Sequence, residues 1–99
     1  MAISDVIQKG KSIIVFDENC KEKQMPSLNK KVVGIGSDFF VVIDKLSIAT
    51  YDENCKKIKE MPKLNKIVRS VAGNYFTVLD GNLIVTYDKN FNEQCKRPK

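Results

Sequence analysis

The chain has 99 residues, of which 42% are hydrophobic and 29% are charged, and its formal net charge is +5. These proportions are typical of one globular domain with a modest core, here residues 1–99, and they disfavour disordered and membrane-embedded classes. The longest apolar runs, such as FFVVI at 39–43, fall far short of the roughly 20 residues that a membrane-spanning helix needs. No basic segment followed by a long apolar one opens the chain, so we expect a cytoplasmic protein with no membrane partner.

A short phrase recurs three times, as FDENC at 16–20, TYDENC at 50–55 and TYDKN at 86–90. When residues 25–54 are set against residues 61–90, direct counting gives 14 identical residues in 30 positions. The N-terminal segment aligns with the middle one at a displacement of 35 residues. Such self-similarity is typical of repeat architectures. We therefore predict three tandem units, the first lacking roughly its opening ten residues, at residues 1–26, 27–62 and 63–98.

Within a unit the apolar residues follow the alternation of β-strands and not the period of helices. The first predicted strand is rich in small residues, the second is apolar on both faces, and the fourth is mostly charged. In chain order the strands are VVGIG (32–36), FFVVI (39–43), SIATY (47–51), KKIKEM (56–61), VRSVAG (68–73), YFTVL (75–79) and LIVTY (83–87). A stack of similar sheets would cover both apolar faces. We expect the small residues at a crowded centre and the lysines along an exposed edge.

Polar segments separate the strands. Between the second and third strands, Asp44 and Asp80 begin segments suited to tight hairpins, so we interpret both as structural and not as an acid-base pair. In the recurring phrase, Asp and Asn side chains can bond to local backbone groups, so the phrase is predicted to mark a strand end and the turn after it. Four glycines form no phosphate-binding loop and are interpreted as turn or close-packing positions, namely Gly34, Gly36, Gly73 and Gly81.

Residues 66–90, KIVRSVAGNYFTVLDGNLIVTYDKN, resemble a β-propeller blade of four antiparallel strands. We therefore predict an all-β fold of three tandem four-stranded antiparallel repeats of about 36 residues, propeller-like in arrangement. Propellers typically use about four to eight blades, so three units would not close a ring. Two copies could form a six-bladed ring, and we expect self-association as a dimer. The alternative fold is a β-trefoil or a small barrel, since three four-stranded repeats also describe a trefoil.

The residue types disfavour catalysis and metal binding. The chain has no histidine, which excludes histidine-dependent dyads and triads and disfavours a zinc site. Its cysteines are odd in number, as expected in a reducing compartment, and they are Cys20, Cys55 and Cys95. Cys55 aligns with Phe91 in the repeat, and phenylalanine cannot replace a ligand. We therefore expect no enzyme activity, no metal and no cofactor.

Two functional hypotheses remain. The first is a non-catalytic binding or scaffolding module that contacts a protein or small ligand through loops at one end of its sheets. The alternative is binding of nucleic acid or another polyanion, because fifteen of the seventeen basic residues are lysines and basic residues recur near strand ends. The candidate residues for polyanion binding are Lys30, Lys31, Lys56, Lys57, Lys66 and Arg69. The repeat positions of Phe40, Phe76, Tyr51 and Tyr87 indicate core, which leaves no evident aromatic surface for stacking bases.

Overall fold

A computed structural model describes residues 2–99, in which the chain forms eleven β-strands. They are β1 (Ile3–Lys9), β2 (Ser12–Asp17), β3 (Glu22–Pro26), β4 (Lys31–Ile35), β5 (Phe39–Ile43), β6 (Ser47–Asp52), β7 (Lys57–Pro62), β8 (Ile67–Ala72), β9 (Tyr75–Asp80), β10 (Leu83–Asp88) and β11 (Glu93–Pro98). They make three antiparallel sheets in which sequential strands pair. The first sheet is β1-β2-β3, the second is β4-β5-β6-β7, and the third is β8-β9-β10-β11. The all-β prediction is confirmed.

The second sheet lies between the other two and is apolar on both faces. Side chains alternate between the two faces of a strand, so each sheet has two distinct faces. We call the face directed toward the next sheet in chain order the forward face, and the opposite one the backward face. In the third sheet, the forward face is the one opposite to the face that packs on the second sheet. On the backward face, Phe40 stacks on Tyr51 and belongs to one core cluster with residues of the first sheet. On the forward face, Phe39 and Val41 belong to a second cluster with Phe76 of the third sheet. Burial of these alternating side chains from water is the main stabilising force of the stack.

The strands rich in small residues lie where neighbouring sheets approach each other most closely. Strand β4 contacts both β8 and β1. A Cβ atom built on Gly34 would overlap the side chain of Val71, so only glycine fits this approach. Backbone bonds continue the contact, because Ile3 N–H donates to the Ser37 oxygen and Ser37 N–H donates to the Gly73 oxygen, each at 2.8 Å. The interpretation of Gly34 as a close-packing position agrees with this contact, and the crowded centre stays a prediction.

The fourth strand of each repeat is a charged sheet edge. Strands β3, β7 and β11 each end a sheet, and most of their residues are exposed. Lysines recur along β7 at Lys57 and Lys59. Charged side chains and a terminal proline, as at Pro62, hinder the addition of another strand to an open edge. This arrangement agrees with the sequence expectation for KKIKEM.

The trefoil and small-barrel alternatives do not describe this structure. In residues 2–99, strand pairing occurs within each of the three sheets, and no closed barrel forms. The physical reason is the apolar character of both faces of strands such as Phe39–Ile43, which a neighbouring sheet must cover on each side. Within the same residues, the structure holds no helix long and apolar enough to cross a membrane.

Candidate functional site

The two ends of the stacked sheets differ in chemistry. One end, which we call the linker end, carries the connections between sheets at residues 27–30 and 63–66, together with the hairpin tips at residues 10–11, 44–46 and 81–82. The opposite end, the Asp-turn end, carries the three copies of the recurring phrase. A strand of six residues separates the two ends by about 20 Å. Loops at the ends of a rigid scaffold are common positions for binding residues.

The recurring phrase forms one turn three times at the Asp-turn end. Asp17, Asp52 and Asp88 end β2, β6 and β10. In each copy, one carboxylate oxygen accepts two backbone N–H bonds of 2.8 to 3.0 Å, as the turn prediction required. The third residue after each aspartate has a φ of 63 to 64°, and these residues are Cys20, Cys55 and Phe91. The phrase is therefore an element of structure and not a catalytic signature.

At the linker end, the connections between sheets hold two leucines in the left-handed backbone region. The sequence MPSLNK recurs as MPKLNK, and Leu28 and Leu64 have φ values of 50° and 48°. A bulky residue in the left-handed region costs about 1 to 2 kcal/mol. Cys55 and Phe91, also at positive φ, pack against the core clusters. Leu28 and Leu64 are instead 73% and 76% exposed, so packing does not offset their backbone strain.

A groove opens beside Leu28 at the linker end, with a volume of about 720 Å³. Its apolar wall includes Leu46, which is 82% exposed at the tip of the β5–β6 hairpin, and Met61 and Pro62 at the end of β7. Its charged rim consists of Lys30, Asp44, Lys45 and Glu60. Binding pockets typically combine a mostly apolar lining with a few fixed polar groups, and they measure about 300 to 1,000 Å³. The groove therefore has the size and composition of a ligand site.

Asp44 holds the hairpin that forms one wall of the groove. Its carboxylate accepts bonds from the backbone N–H groups of Leu46 (2.8 Å) and Ser47 (2.7 Å), and from the Ser47 hydroxyl (3.1 Å). These backbone bonds lower the pKa of Asp44 from its ordinary value of 3.8, and the charge of Lys30 adds to the effect. The structural interpretation of Asp44 is confirmed. The carboxylate fixes the position of the exposed Leu46 at neutral pH.

The six basic residues predicted for polyanion binding lie on three parts of the surface. Lys30, Lys31 and Lys66 lie at the linker end, and Lys30 alone of the six lines the groove. The neighbours Lys56 and Lys57 lie at the Asp-turn end of β7, where Lys57 pairs with Glu60 at 3.1 Å. This hydrogen bond raises the pKa of Lys57. Arg69 is exposed on the forward face of the third sheet. The structure thus places three of the six at one end of the stack, on two different connections, and the polyanion hypothesis stays a prediction.

A second, smaller depression of about 330 Å³ lies at the Asp-turn end between the second and third sheets. Its lining is polar and includes Asp38, Asn74 and Lys89. The Lys89 ammonium donates to the Asp38 carboxylate at 2.7 Å, which raises the pKa of Lys89. The buried Thr50 hydroxyl donates to the Lys89 backbone oxygen at 2.6 Å. These bonds join the two sheets, so the polar groups here already have structural partners.

The thiols do not form a metal site in the described part of the chain. No group of three His, Cys, Asp or Glu side chains converges within residues 2–99. Cys20 and Cys95 are exposed and Cys55 is half-buried, and all three are free. Burial raises the pKa of the Cys55 thiol, and the charge of Asp52 adds to the shift.

Sequence reasoning did not single out the exposed leucines as site residues. The available signal was the repeated leucine within MPSLNK and MPKLNK, at a connection where polar residues are usual. Leu46 has no such signal, because the third unit has Asn82 at the equivalent position. No protein-family model matches the chain, and comparison with curated proteins and with solved structures likewise gives no match.

Proposed function

We propose that the chain is a non-catalytic binding and scaffolding module that holds a segment of another protein through the loops of its linker end. The observation that carries the proposal is the pair of strained and exposed leucines at 28 and 64. Such strain is retained where the surrounding structure fixes it, and it is concentrated at functional sites. A leucine that contributes little to the core and costs backbone energy is best accounted for by a contact with a partner.

The groove supports a polypeptide partner in preference to a small molecule. Leu28 and Leu46 face the groove, whereas Leu64 lies at the next connection, so the exposed leucines extend beyond one pocket. Exposed apolar side chains with a polar rim are typical of protein interaction sites. A peptide with apolar side chains and at least one charge would match both the leucines and the rim of Lys30, Lys45 and Glu60.

The arrangement of sheets that we propose is propeller-like, with each sheet as one blade and the chain self-associating as a dimer. The contact of β4 with β1 and β8, together with the stacking of successive sheets, supports this arrangement. The absence of histidine from the sequence supports a non-catalytic role. Three free thiols support a reducing compartment, for which we propose the cytoplasm.

The test uses peptides selected from a random display library on the immobilised chain. Their dissociation constants are measured by calorimetry on the wild type and on a Leu28→Asn/Leu46→Asn double variant. Asparagine tolerates the left-handed region, so this variant should fold with unchanged or higher stability. We expect selected peptides to contain apolar side chains and to bind the double variant at least about tenfold more weakly.

The control is Ile67→Lys, which removes an exposed apolar residue of the third sheet and introduces the residue that the second sheet has at the equivalent position, Lys31. Peptide binding should be unchanged in this variant. Equal affinity of the peptides for the wild type and the double variant would overturn the proposal, because the leucines would then not form the binding surface.

A further inference from the structure

Each interface inside the molecule joins a forward face to a backward face. The forward face of the first sheet, with Ile13 and Val15, packs on the backward face of the second. The forward face of the second sheet, with Phe39 and Val41, packs on the backward face of the third, with Phe76. Two faces have no covering sheet within residues 2–99, namely the forward face of the third sheet and the backward face of the first.

The forward face of the third sheet keeps an apolar row. Leu79 pairs with Ile67 on one side and with Ile84 on the other, so the three side chains lie side by side. Ile67 is 59% exposed, and Tyr75, at the other end of the same face, is 48% exposed. Within the row, Leu79 is half-buried and Ile84 is 5% exposed, so the exposed apolar surface of this face consists of Ile67 and Tyr75. Exposed apolar residues with polar surroundings are typical of an interaction surface.

The backward face of the first sheet carries a matching apolar row. Ile7 pairs with Ile14 across β1 and β2, and Phe16 pairs with Asp5. Ile7 is 39% exposed, and Ile14 and Phe16 are half-buried. In the second sheet the equivalent face is the one that packs on a forward face. The two uncovered faces are thus one forward face and one backward face. The same combination of faces packs at both interfaces inside the chain.

Charges on these faces are complementary at equivalent positions. In the inner interface between the second and third sheets, Val33 and Phe76 belong to one cluster. The residue equivalent to Val33 in the third sheet is Arg69, and the residue equivalent to Phe76 in the first sheet is Asp5. Arg69 and Asp5 form no ion pair with any of residues 2–99. The Asp5 carboxylate accepts a bond of 2.9 Å from the Val6 backbone N–H, so it lacks only an ion-pair partner. Unlike charges on two complementary faces favour association of those faces.

The shapes of the two faces also agree. In the second sheet, Gly34 must be glycine because Val71 of the following sheet occupies the space of a side chain. The third sheet has Ser70 at the equivalent position, with its hydroxyl 2.8 Å from the Thr77 hydroxyl. Within residues 2–99, the first sheet has no strand equivalent to β8, which supplies Val71. If the first sheet of a second copy packs on the forward face of the third sheet, no residue equivalent to Val71 lies against Ser70. The Ser70 side chain therefore has the space that it needs.

We infer that the forward face of the third sheet packs on the backward face of the first sheet in a second copy of this chain, with Arg69 opposite Asp5 of the partner subunit. The inference rests on the proposed self-association and deepens it by naming the two faces. The contact joins unlike surfaces, and such a contact closes on itself in a dimer when the rotation from one copy to the next is a half-turn. The dimer then contains the contact twice. The linker-end groove is not part of it.

The experiment reverses the charges separately and then recombines them. Asp5→Arg and Arg69→Asp are each made alone and together in one chain, with Lys59→Asp at the edge of the second sheet as the charge-reversal control. Circular dichroism and thermal unfolding check that each variant folds, and native mass spectrometry measures association. We expect each single variant to weaken the dimer by about tenfold or more, since like charges would then face each other in both contacts.

Recombination distinguishes this pairing from other dimers. An equimolar mixture of the two single variants has unlike charges in both contacts of a mixed dimer, so the mixture and the double variant should both regain association. The control should associate as the wild type does. A wild-type dimer that neither single variant weakens would overturn the named faces while leaving self-association intact. A wild type that stays monomeric would overturn both, without bearing on peptide binding by the groove.

Discussion

The second and third sheets have the same strand order and share 14 identical residues in 30 aligned positions. Among residues 2–99, however, only the second sheet is covered on both faces. Its forward face carries Phe39 and Val41, which are fully buried against the third sheet. At the equivalent positions the third sheet has Tyr75, which adds a hydroxyl to the ring, and Thr77, which has a hydroxyl in place of a valine methyl group. The forward face of the third sheet is thus a more polar version of the same design.

This difference shows how the repeat sequence varies with the cover that each sheet has within residues 2–99. The backward faces of the two sheets keep their large apolar residues, because each packs on a preceding sheet. On the forward face, the changes are those that lower the cost of exposure to water, as from Val33 to Arg69. Terminal repeats of stacked arrays commonly have a more polar outer face. The apolar residues that remain on this face, such as Ile67, belong to the surface proposed to pack on a second copy.

Truncation of one equivalent residue in each sheet should show the largest difference in stability between the second and third sheets. Phe39→Ala should lower the free energy of unfolding by about 3 to 5 kcal/mol, because it leaves a cavity between two sheets. Tyr75→Ala should lower it by less than about 1 kcal/mol, since nearly half of that side chain is exposed. Urea unfolding of both variants in an Arg69→Asp background, which removes the proposed association, gives the two values. Equal losses would mean that the forward faces are covered alike.

A second matched pair tests the close approach of β4 and β8. Gly34→Ala should lower the free energy of unfolding by about 1 to 3 kcal/mol, because its Cβ overlaps Val71. Ser70→Ala, at the equivalent position of the third sheet, should cost less than about 1 kcal/mol through loss of one hydroxyl contact. The same urea measurement applies. A Gly34→Ala variant with an unchanged free energy of unfolding would show that β4 and β8 lie farther apart than this contact indicates.

Acid should destabilise the turns that two aspartates hold in the second and third repeats. Backbone hydrogen bonds lower the pKa of Asp44, through Leu46 and Ser47, and that of Asp88, through Asn92 and Asn90. Because the folded-state pKa lies below the ordinary value of 3.8, this stabilisation is present above that value and is lost as the pH falls through the folded-state pKa.

Thermal unfolding measured between about pH 5 and pH 2 should show this loss. An Asp44→Asn/Asp88→Asn double variant keeps an acceptor oxygen at each turn but does not titrate there. Its melting temperature should therefore fall less steeply with pH than that of the wild type. Identical slopes for the two proteins would mean that these carboxylates do not contribute to the acid response.

The smallest expected effect concerns two thiols at equivalent turns. Cys20 is exposed, whereas Cys55 is half-buried beside the core and has a raised pKa. Because the thiolate is the reactive form, alkylation at neutral pH should modify Cys20 before Cys55. Peptide mass spectrometry after short exposure to iodoacetamide measures both sites. Faster modification of Cys55 would show that its turn opens away from the core.

The strands and the aspartate turns could be predicted from the sequence because both depend on local chemistry. The continuous apolar run FFVVI predicts a strand with two apolar faces, and Asp at the end of β2, β6 and β10 predicts a turn. Alternation does not specify which sheet covers which face, so the trefoil and barrel alternatives could not be removed by periodicity. The left-handed φ of Leu28 was also beyond prediction, because leucine disfavours that region and the fold imposes it.

The most direct test of the pairing between the two uncovered faces is the absolute mass of the wild-type chain in solution. Light scattering on a sizing column, over a range of concentrations and under reducing conditions, gives that mass without a reference shape. We expect 22.4 kDa, which is twice the chain mass of 11.2 kDa. A mass of 11.2 kDa at every concentration would contradict the account, because the apolar rows around Ile67 and Ile7 would then remain in water.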